Sequence, residues 1–194
     1  MSKPGESGVE LVLQAAFRTT EKELMLGYKM RNTRPASLYL LNVLWEFSPQ
    51  GDYVKAPHPA YVCLGHGGEL RIACQILPLP KGRMVEMRNV PFVTKLPPGA
   101  EHVENISLPL PVAEYNFYFP EDDQSKTQTR MAEGLVVTLQ FIQDTPAVTV
   151  RPAPLAGAIQ IYHPNYAAAV ETVSCAPMAG QIPVLKRTDP FDEF

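Results

Sequence analysis

Alternation of apolar and polar residues with a period of two is the main pattern along this chain, and it predicts β-strands. The odd positions of segment 9–18 are apolar, and in segment 23–32 the even positions from 24 to 30 are apolar. The four residues between these segments are polar or charged and predict a hairpin connection. Similar patterns predict further strands at 38–47, 69–77, 90–96, 105–110, 134–143, 147–151 and 158–162, and a brief strand is expected at 61–64 within a longer loop.

Two of these segments also predict their place in a sheet. Segment 38–47 is apolar on both alternating phases, which is typical of a central strand covered on both faces. In segment 105–110, Pro109 follows the alternating Ile106 and Leu108, and proline cannot donate a hydrogen bond to a neighbouring strand. We therefore expect an edge strand there.

Helical periodicity is almost absent, and the pattern predicts a short helix only within residues 165–173, capped by Asn165. Eight or nine short strands separated by turn signals favour an all-β fold. We predict an antiparallel β-sandwich of the immunoglobulin-like, Greek-key type in the broad sense, with a β-barrel as the alternative. The predicted organisation is a polar arm at 1–8, one domain at 9–179 and an extension at 180–194. Two polar stretches, 48–68 and 121–133, are predicted to be long loops.

Composition and charge exclude several classes of protein. The 194 residues carry a net charge of −3, and 45% of them are hydrophobic, which is enough for a folded core. No apolar run approaches the roughly 20 residues that a membrane-spanning helix needs. The only concentrated basic residues are Lys81, Arg83 and Arg88, which argues against binding of double-stranded nucleic acid.

The cysteines indicate a reducing compartment. Cys63, Cys74 and Cys175 are odd in number and far apart, as expected of free thiols. The first residues do not resemble a secretory signal, because Gln14 interrupts the only early apolar run. We expect a cytoplasmic protein, and a signal peptide already removed is the alternative.

An aromatic cluster at 115–119 is the first candidate for a binding site. Its sequence is Tyr-Asn-Phe-Tyr-Phe, and it precedes the polar stretch at 121–133. A strand there would bury one set of rings and expose the other, and exposed aromatic rings mark interfaces. We select Tyr115, Phe117 and Tyr118 as partner-binding residues; the alternative is a strand that only anchors the loop.

The second candidate is the acidic segment, residues 189–194. It carries three acidic residues, no basic residue and two phenylalanines. Such a segment suits docking into a partner's groove, with phenyl rings as anchors and carboxylates for steering. Asp189, Phe191 and Phe194 are the predicted contacts; a solubilising end with no partner is the alternative. The Asp-Pro-Phe sequence resembles the motif that endocytic proteins present to adaptor appendages, and the whole segment resembles the acidic ends of single-stranded-DNA-binding proteins.

Catalytic and metal-binding patterns are weak. The chain has no Gly-x-Ser-x-Gly, His-Glu-x-x-His or glycine-rich phosphate motif. Cys63 and His66 have the spacing of metal ligands, and His58 lies nearby in sequence. We expect no catalytic residue, no metal and no cofactor.

These observations leave three functional hypotheses. The leading one is a non-enzymatic protein–protein interaction module, a structural or adaptor subunit of an assembly or a self-associating protein. The second is a single-stranded nucleic-acid-binding protein in which Tyr115, Phe117 and Tyr118 stack on bases near the three basic residues. The third is a metal-dependent enzyme that uses His58, Cys63 and His66.

Overall fold

The computed structural model describes residues 11–80, 84–85, 87–119, 126–155 and 157–188. This part of the chain is all-β, as predicted, with a single short helix, α1 (Tyr166–Ala169). The strands are β1 (Val12–Thr19), β2 (Glu23–Arg31), β3 (Leu38–Val43), β4 (Trp45–Phe47), β5 (Tyr53–Lys55), β6 (Tyr61–Leu64), β7 (Glu69–Cys74), β8 (Phe92–Leu96), β9 (Glu101–Pro109), β10 (Val112–Ala113), β11 (Thr127–Gln143), β12 (Thr149–Pro152), β13 (Ile159–Tyr162), β14 (Val170–Ser174) and β15 (Met178–Arg187).

A three-stranded antiparallel sheet has the order β1-β2-β9. The predicted hairpin joins β1 to β2, and the Thr20 hydroxyl oxygen accepts a hydrogen bond from the Glu23 N–H at 3.0 Å. Strand β9 pairs with β2 and lies at the edge of the sheet, so the predicted edge strand is confirmed, although it begins earlier, at Glu101. The predicted inward side chains of β2 are all buried: Leu24, Leu26, Tyr28 and Met30.

A ten-stranded sheet is organised around the long strand β11. Along one edge, β11 pairs antiparallel with β15 and then with β14. Between these two strands, the Cys175 N–H donates to the Val137 carbonyl at 3.0 Å, and the Cys175 thiol accepts from the Val137 N–H at 3.2 Å. Along its other edge, β11 pairs with β7 and β3. The remaining strands of this sheet join β11 indirectly, through β15, β7 or β3.

Two pairings in the large sheet are parallel, so the predicted purely antiparallel arrangement is wrong. Strand β7 runs parallel to β11, and β10 runs parallel to β15. A parallel pair needs a long crossover connection. The chain between β7 and β11 provides one, because it first forms β8, β9 and β10. None of the sheets in the described residues closes into a barrel, which was the alternative fold.

One hydrophobic core contains side chains from both of these sheets. The small sheet contributes Leu26 and Ile106, for example, and the large sheet contributes Leu70 and Val137. The opposite face of the large sheet is also covered, because Tyr39 and Leu41 of β3 belong to a second core. The prediction that segment 38–47 is buried on both faces is confirmed for β3 but not for the end of the segment, where Phe47 is 45% exposed. Burial of apolar surface on two faces is the main stabilising contribution that the fold shows.

Four predicted segments have the wrong boundaries. Segment 38–47 is two strands, because β3 pairs with β8 and β11 whereas β4 pairs with β5 in a separate two-stranded sheet. The predicted loop at 121–133 contains the first residues of β11, and the predicted loop at 48–68 contains β5. The predicted helix at 165–173 is only α1, capped by the Asn165 side chain as expected, and then continues as β14.

The predicted extension at 180–194 is also wrong in its first part. Residues up to 187 form strand β15, which pairs with β11, and its Ile182 and Val184 are completely buried. The rest of that extension and the predicted arm at 1–8 lie outside the described residues. Among the described residues, no helix has the length and apolar character that crossing a bilayer requires.

Candidate functional site

The aromatic cluster at 115–119 forms a tight turn, where a strand was expected. Tyr115 exchanges two backbone hydrogen bonds with Val62, both at 2.9 Å, which attaches the turn to β6. The Phe119 N–H then donates to the Asn116 carbonyl at 2.9 Å, and the Tyr118 N–H donates to the Asn116 Oδ1 at 2.9 Å. Asn116 is buried, so its side chain replaces part of a strand's hydrogen bonding with a local turn.

This turn divides the predicted contact residues differently from an alternating strand. Tyr118 and Phe119 are buried, whereas Tyr115 and Phe117 are half-buried. The Tyr118 hydroxyl accepts a hydrogen bond from the Asn89 N–H at 3.0 Å. The Tyr61 hydroxyl donates to the Asn89 Oδ1 at 3.0 Å, so both tyrosines hold the same loop residue. Tyr118 therefore holds the turn and the loop at Asn89 together, and it presents little surface to a partner.

Aromatic rings pack around Trp45 next to this turn. The indole ring lies 4.8 Å from Tyr53 and 5.7 Å from Phe117, measured between ring centroids. Its Nε1–H donates to the Val90 carbonyl at 2.8 Å, which fixes the ring's orientation. Phe47 and Phe92 complete the cluster at 5.3 and 5.6 Å from Trp45. Aromatic pairs at these distances add to the stabilisation that comes from burying apolar surface, so the ring cluster is well ordered.

An open apolar cleft of about 330 Å³ borders this aromatic cluster and shares Phe47 and Phe117 with it. We call it the methionine cleft, and its lining residues are Phe47, Pro80, Met84, Val85, Met87, Phe117 and Tyr118. Met84 is 98% exposed, and Phe47 and Met87 are 45% and 44% exposed. Three large apolar side chains thus remain in solvent around one cleft, and this concentration of exposed apolar surface marks it as the candidate site.

Tyr115 lies beside the cluster and stacks on His58. The two ring centroids are 4.0 Å apart and the rings are nearly parallel. Burial, together with the negative charge of Glu46, raises the pKa of the Tyr115 hydroxyl to about 12. Tyr115 is therefore neutral at ordinary pH, and its ring serves as a packing surface.

The metal-binding hypothesis gains no geometric support. Cys63 and Cys74 are buried and form no disulfide, and the Cys74 thiol donates to the Pro59 carbonyl at 3.7 Å. His58 stacks on Tyr115. Across the described ranges, no three His, Cys, Asp or Glu side chains are grouped so that they could hold a metal ion.

Of the three basic residues in the nucleic-acid hypothesis, only Arg88 lies in the described part of the chain. Arg88 lines a separate cleft of about 220 Å³ with Gln140 and Tyr166. Lys81 and Arg83 lie outside the described residues, as do the predicted contacts Asp189, Phe191 and Phe194. Of the aromatic residues that were expected to stack on bases, Tyr118 is buried and Tyr115 is covered on one side by His58.

Sequence reasoning missed Phe47, Met84 and Met87. The pattern of segment 38–47 predicts one continuous buried strand that includes Phe47. In segment 81–88, the pattern draws attention to the basic residues and not to the methionines. The missed signal was the three apolar residues Met84, Val85 and Met87 in a stretch rich in proline, glycine and charged residues. Apolar side chains in such a stretch have no strand to bury them.

The chain has no significant match to a protein-family model, a curated protein or a solved structure. Interpretation of the site therefore depends on its geometry and chemistry.

Proposed function

We propose that the chain is a non-enzymatic protein–protein interaction module, and that the methionine cleft is its docking surface. The observation that supports this most directly is the exposure of Phe47, Met84 and Met87 around one cleft. Solvent-exposed apolar side chains gain free energy when a partner covers them, at about 25 cal/mol for each Å² removed from water.

The chemistry of the cleft suits a protein partner that inserts an apolar or aromatic side chain. Methionine is flexible and polarisable, so Met84 and Met87 can adapt to the shape of an inserted group. The Trp45 cluster below is held by close ring contacts and does not need to rearrange. Because the Trp45 cluster is already ordered, binding beside it costs less conformational entropy than binding at a site that must first become ordered.

We further propose that the architecture is a β-sandwich, immunoglobulin-like and Greek-key in the broad sense. The shared core between the β1-β2-β9 sheet and the large sheet supports this proposal. In a sandwich the loops and edges carry the contacts, and the methionine cleft is formed by loops and a strand end. The proposed interface also includes two predicted parts. One is segment 105–110, most of which lies on the edge strand β9. The other is the set of contacts Asp189, Phe191 and Phe194.

A cytoplasmic location and a role as a structural or adaptor subunit complete the proposal. The three cysteines are buried and form no disulfide, which suits a reducing compartment. An assembly subunit needs surface for contact and no reaction chemistry, and the most prominent described surface feature is apolar.

The proposal is tested with charge substitutions in the cleft and a matched substitution elsewhere. Met84→Asp with Met87→Asp places two carboxylates in the cleft. Met131→Asp places one carboxylate at an exposed position near the start of strand β11. Each full chain is expressed in its native host at its natural level and purified under mild conditions, and co-purifying proteins are quantified by mass spectrometry. We expect a partner that is retained by the wild type and Met131→Asp and is lost from the cleft variant.

Affinity measured with the purified partner completes the test. We expect the dissociation constant to rise at least about tenfold in the cleft variant, which corresponds to about 1.4 kcal/mol. Thermal unfolding serves as the control, because exposed residues contribute little to stability. Identical partners and affinities for the wild type and the cleft variant would exclude the methionine cleft as the docking surface.

A further inference from the structure

We propose that the methionine cleft is the docking site of this chain's own acidic segment, residues 189–194, with Phe191 and Phe194 as its anchors. The segment would occupy the cleft within the same molecule, and a partner that displaces it would contact the released Phe191 and Phe194 as well as the cleft. This docking needs no outside partner, so it stands apart from the proposed function.

The path of the chain supports this occupant. Strand β15 ends at Arg187, whose guanidinium donates to the Phe119 carbonyl at 2.7 Å and lies over the Phe119 ring. Phe119 closes the same turn that carries Phe117 and Tyr118 into the wall of the cleft. The described chain thus ends, at Thr188, one residue beyond a contact with the turn that forms one wall of the cleft.

The departure point is firmly held. The Arg187 N–H donates to the Glu114 carboxylate at 2.7 Å, and the Thr188 N–H donates to the Lys126 carbonyl at 2.8 Å. The six residues that follow Thr188 can extend about 20 Å, which is several times the separation of neighbouring strands. A fixed starting point and a short connection keep the local concentration of the segment high, in the millimolar range.

Charge and shape agree with this assignment. The segment brings three carboxylates, and Lys126, Lys186 and Arg187 are the basic residues at the point where it leaves the fold. Its two phenyl rings are separated by two residues and match a cleft that is lined by apolar side chains and has room for about 330 Å³. Electrostatic attraction would orient the segment, and burial of the rings would hold it.

The test uses a labelled peptide with the sequence of residues 187–194 and the full chain carrying Phe191→Ser and Phe194→Ser. Both substituted positions lie outside the described residues, and thermal unfolding of the variant checks that its fold is retained. We expect saturable binding of the peptide to this variant, measured by fluorescence anisotropy. The wild-type chain should bind the peptide at least about tenfold more weakly, because its own segment occupies the cleft.

Two controls locate the site. A peptide with serine at both phenylalanine positions should not compete, and adding Met84→Asp with Met87→Asp to the variant should abolish binding. Absence of peptide binding, or equal binding to the wild type and the variant, would overturn the proposal. Light scattering should show the same mass for both chains; a wild-type dimer that depends on Phe191 and Phe194 would show exchange between two copies and would also overturn it. Partner capture by the cleft variants is a separate measurement, so either proposal can fail alone.

Discussion

Gly134 lies so close to the carbonyl oxygen of Met178 that a β-carbon at position 134 would stand 2.8 Å from that oxygen. The contact joins β11 to β15 where the register between them shifts. Because the obstructing atom belongs to the backbone, it can move only if the strand pairing moves. The close approach of the two strands therefore depends on the missing side chain.

The first prediction concerns this contact. We expect Gly134→Ala to lower the free energy of unfolding by about 1–3 kcal/mol, because the added methyl forces the strands apart. Urea denaturation measures the effect. Gly180→Ala is the matched comparison: its β-carbon would meet the end of the Phe17 ring at 2.5 Å, and a half-buried ring can turn aside. A larger loss at position 180 than at position 134 would contradict this account.

The second prediction concerns the carboxylate of Glu114, which links two strands. It accepts hydrogen bonds from the Leu64 N–H of β6 and from the Arg187 N–H of β15, both at 2.7 Å. Glu114→Gln keeps only one acceptor oxygen and turns an amide NH₂ towards the other N–H. We expect a loss of about 1–3 kcal/mol in urea denaturation. Glu133→Gln, at an exposed position on β11, is the control and should change stability by less than about 0.5 kcal/mol.

The third prediction separates support from contact in the candidate site. Tyr118→Phe removes the hydroxyl that accepts the buried Asn89 N–H, so the free energy of unfolding should fall by about 1–3 kcal/mol. Phe47→Ser removes a ring that is 45% exposed beside the cleft, so partner capture should weaken. Thermal unfolding and partner affinity are measured for both variants. Weaker capture by Tyr118→Phe than by Phe47→Ser would reverse the roles assigned to these residues.

The fourth prediction concerns alkaline pH. Burial raises the pKa of the Cys74 thiol from about 9 to about 12. Between these values the unfolded chain releases the proton and the folded chain keeps it, so stability is complete below pH 9 and falls as the pH rises. This group alone contributes a slope of up to about 1.4 kcal/mol per pH unit. Cys74→Ala should show a shallower decline from pH 9 to 11 in urea denaturation and an unchanged profile from pH 7 to 8. Equal slopes in the alkaline range would refute the role of this thiol.

Period-two alternation predicted most strands because many of them bury one face. Leu24, Leu26, Tyr28 and Met30 illustrate this, since all four point into the shared core. The same rule failed where both faces have the same character. The start of β11 is exposed on nearly every residue, so its polar sequence was assigned to a loop. In β15, Gly180 and Pro183 obscured the pattern although Ile182 and Val184 are buried.

The candidate site was only partly predictable, because it combines distant segments. Phe117 was identified from its aromatic neighbours, but Phe47 and Met84 meet it only through the folded connections. The separation of Tyr118 from Phe117 also depends on tertiary contacts, since Asn89 and Asn116 hold the turn. Local sequence contains no information about those distant hydrogen bonds.

The position of β11 at the centre of the large sheet has a consequence for how the protein is made. Strands β3 and β7 leave the ribosome before β11, whereas β14 and β15 leave after it. The central strand must therefore wait with one side unpaired until the final strand has been synthesised. Pairings between strands that lie far apart in sequence slow folding. Until β15 has been synthesised, the unpaired edge of β11 is prone to aggregation. Nascent chains halted before residue 178 should accordingly depend on chaperones, whereas chains released after residue 187 should not.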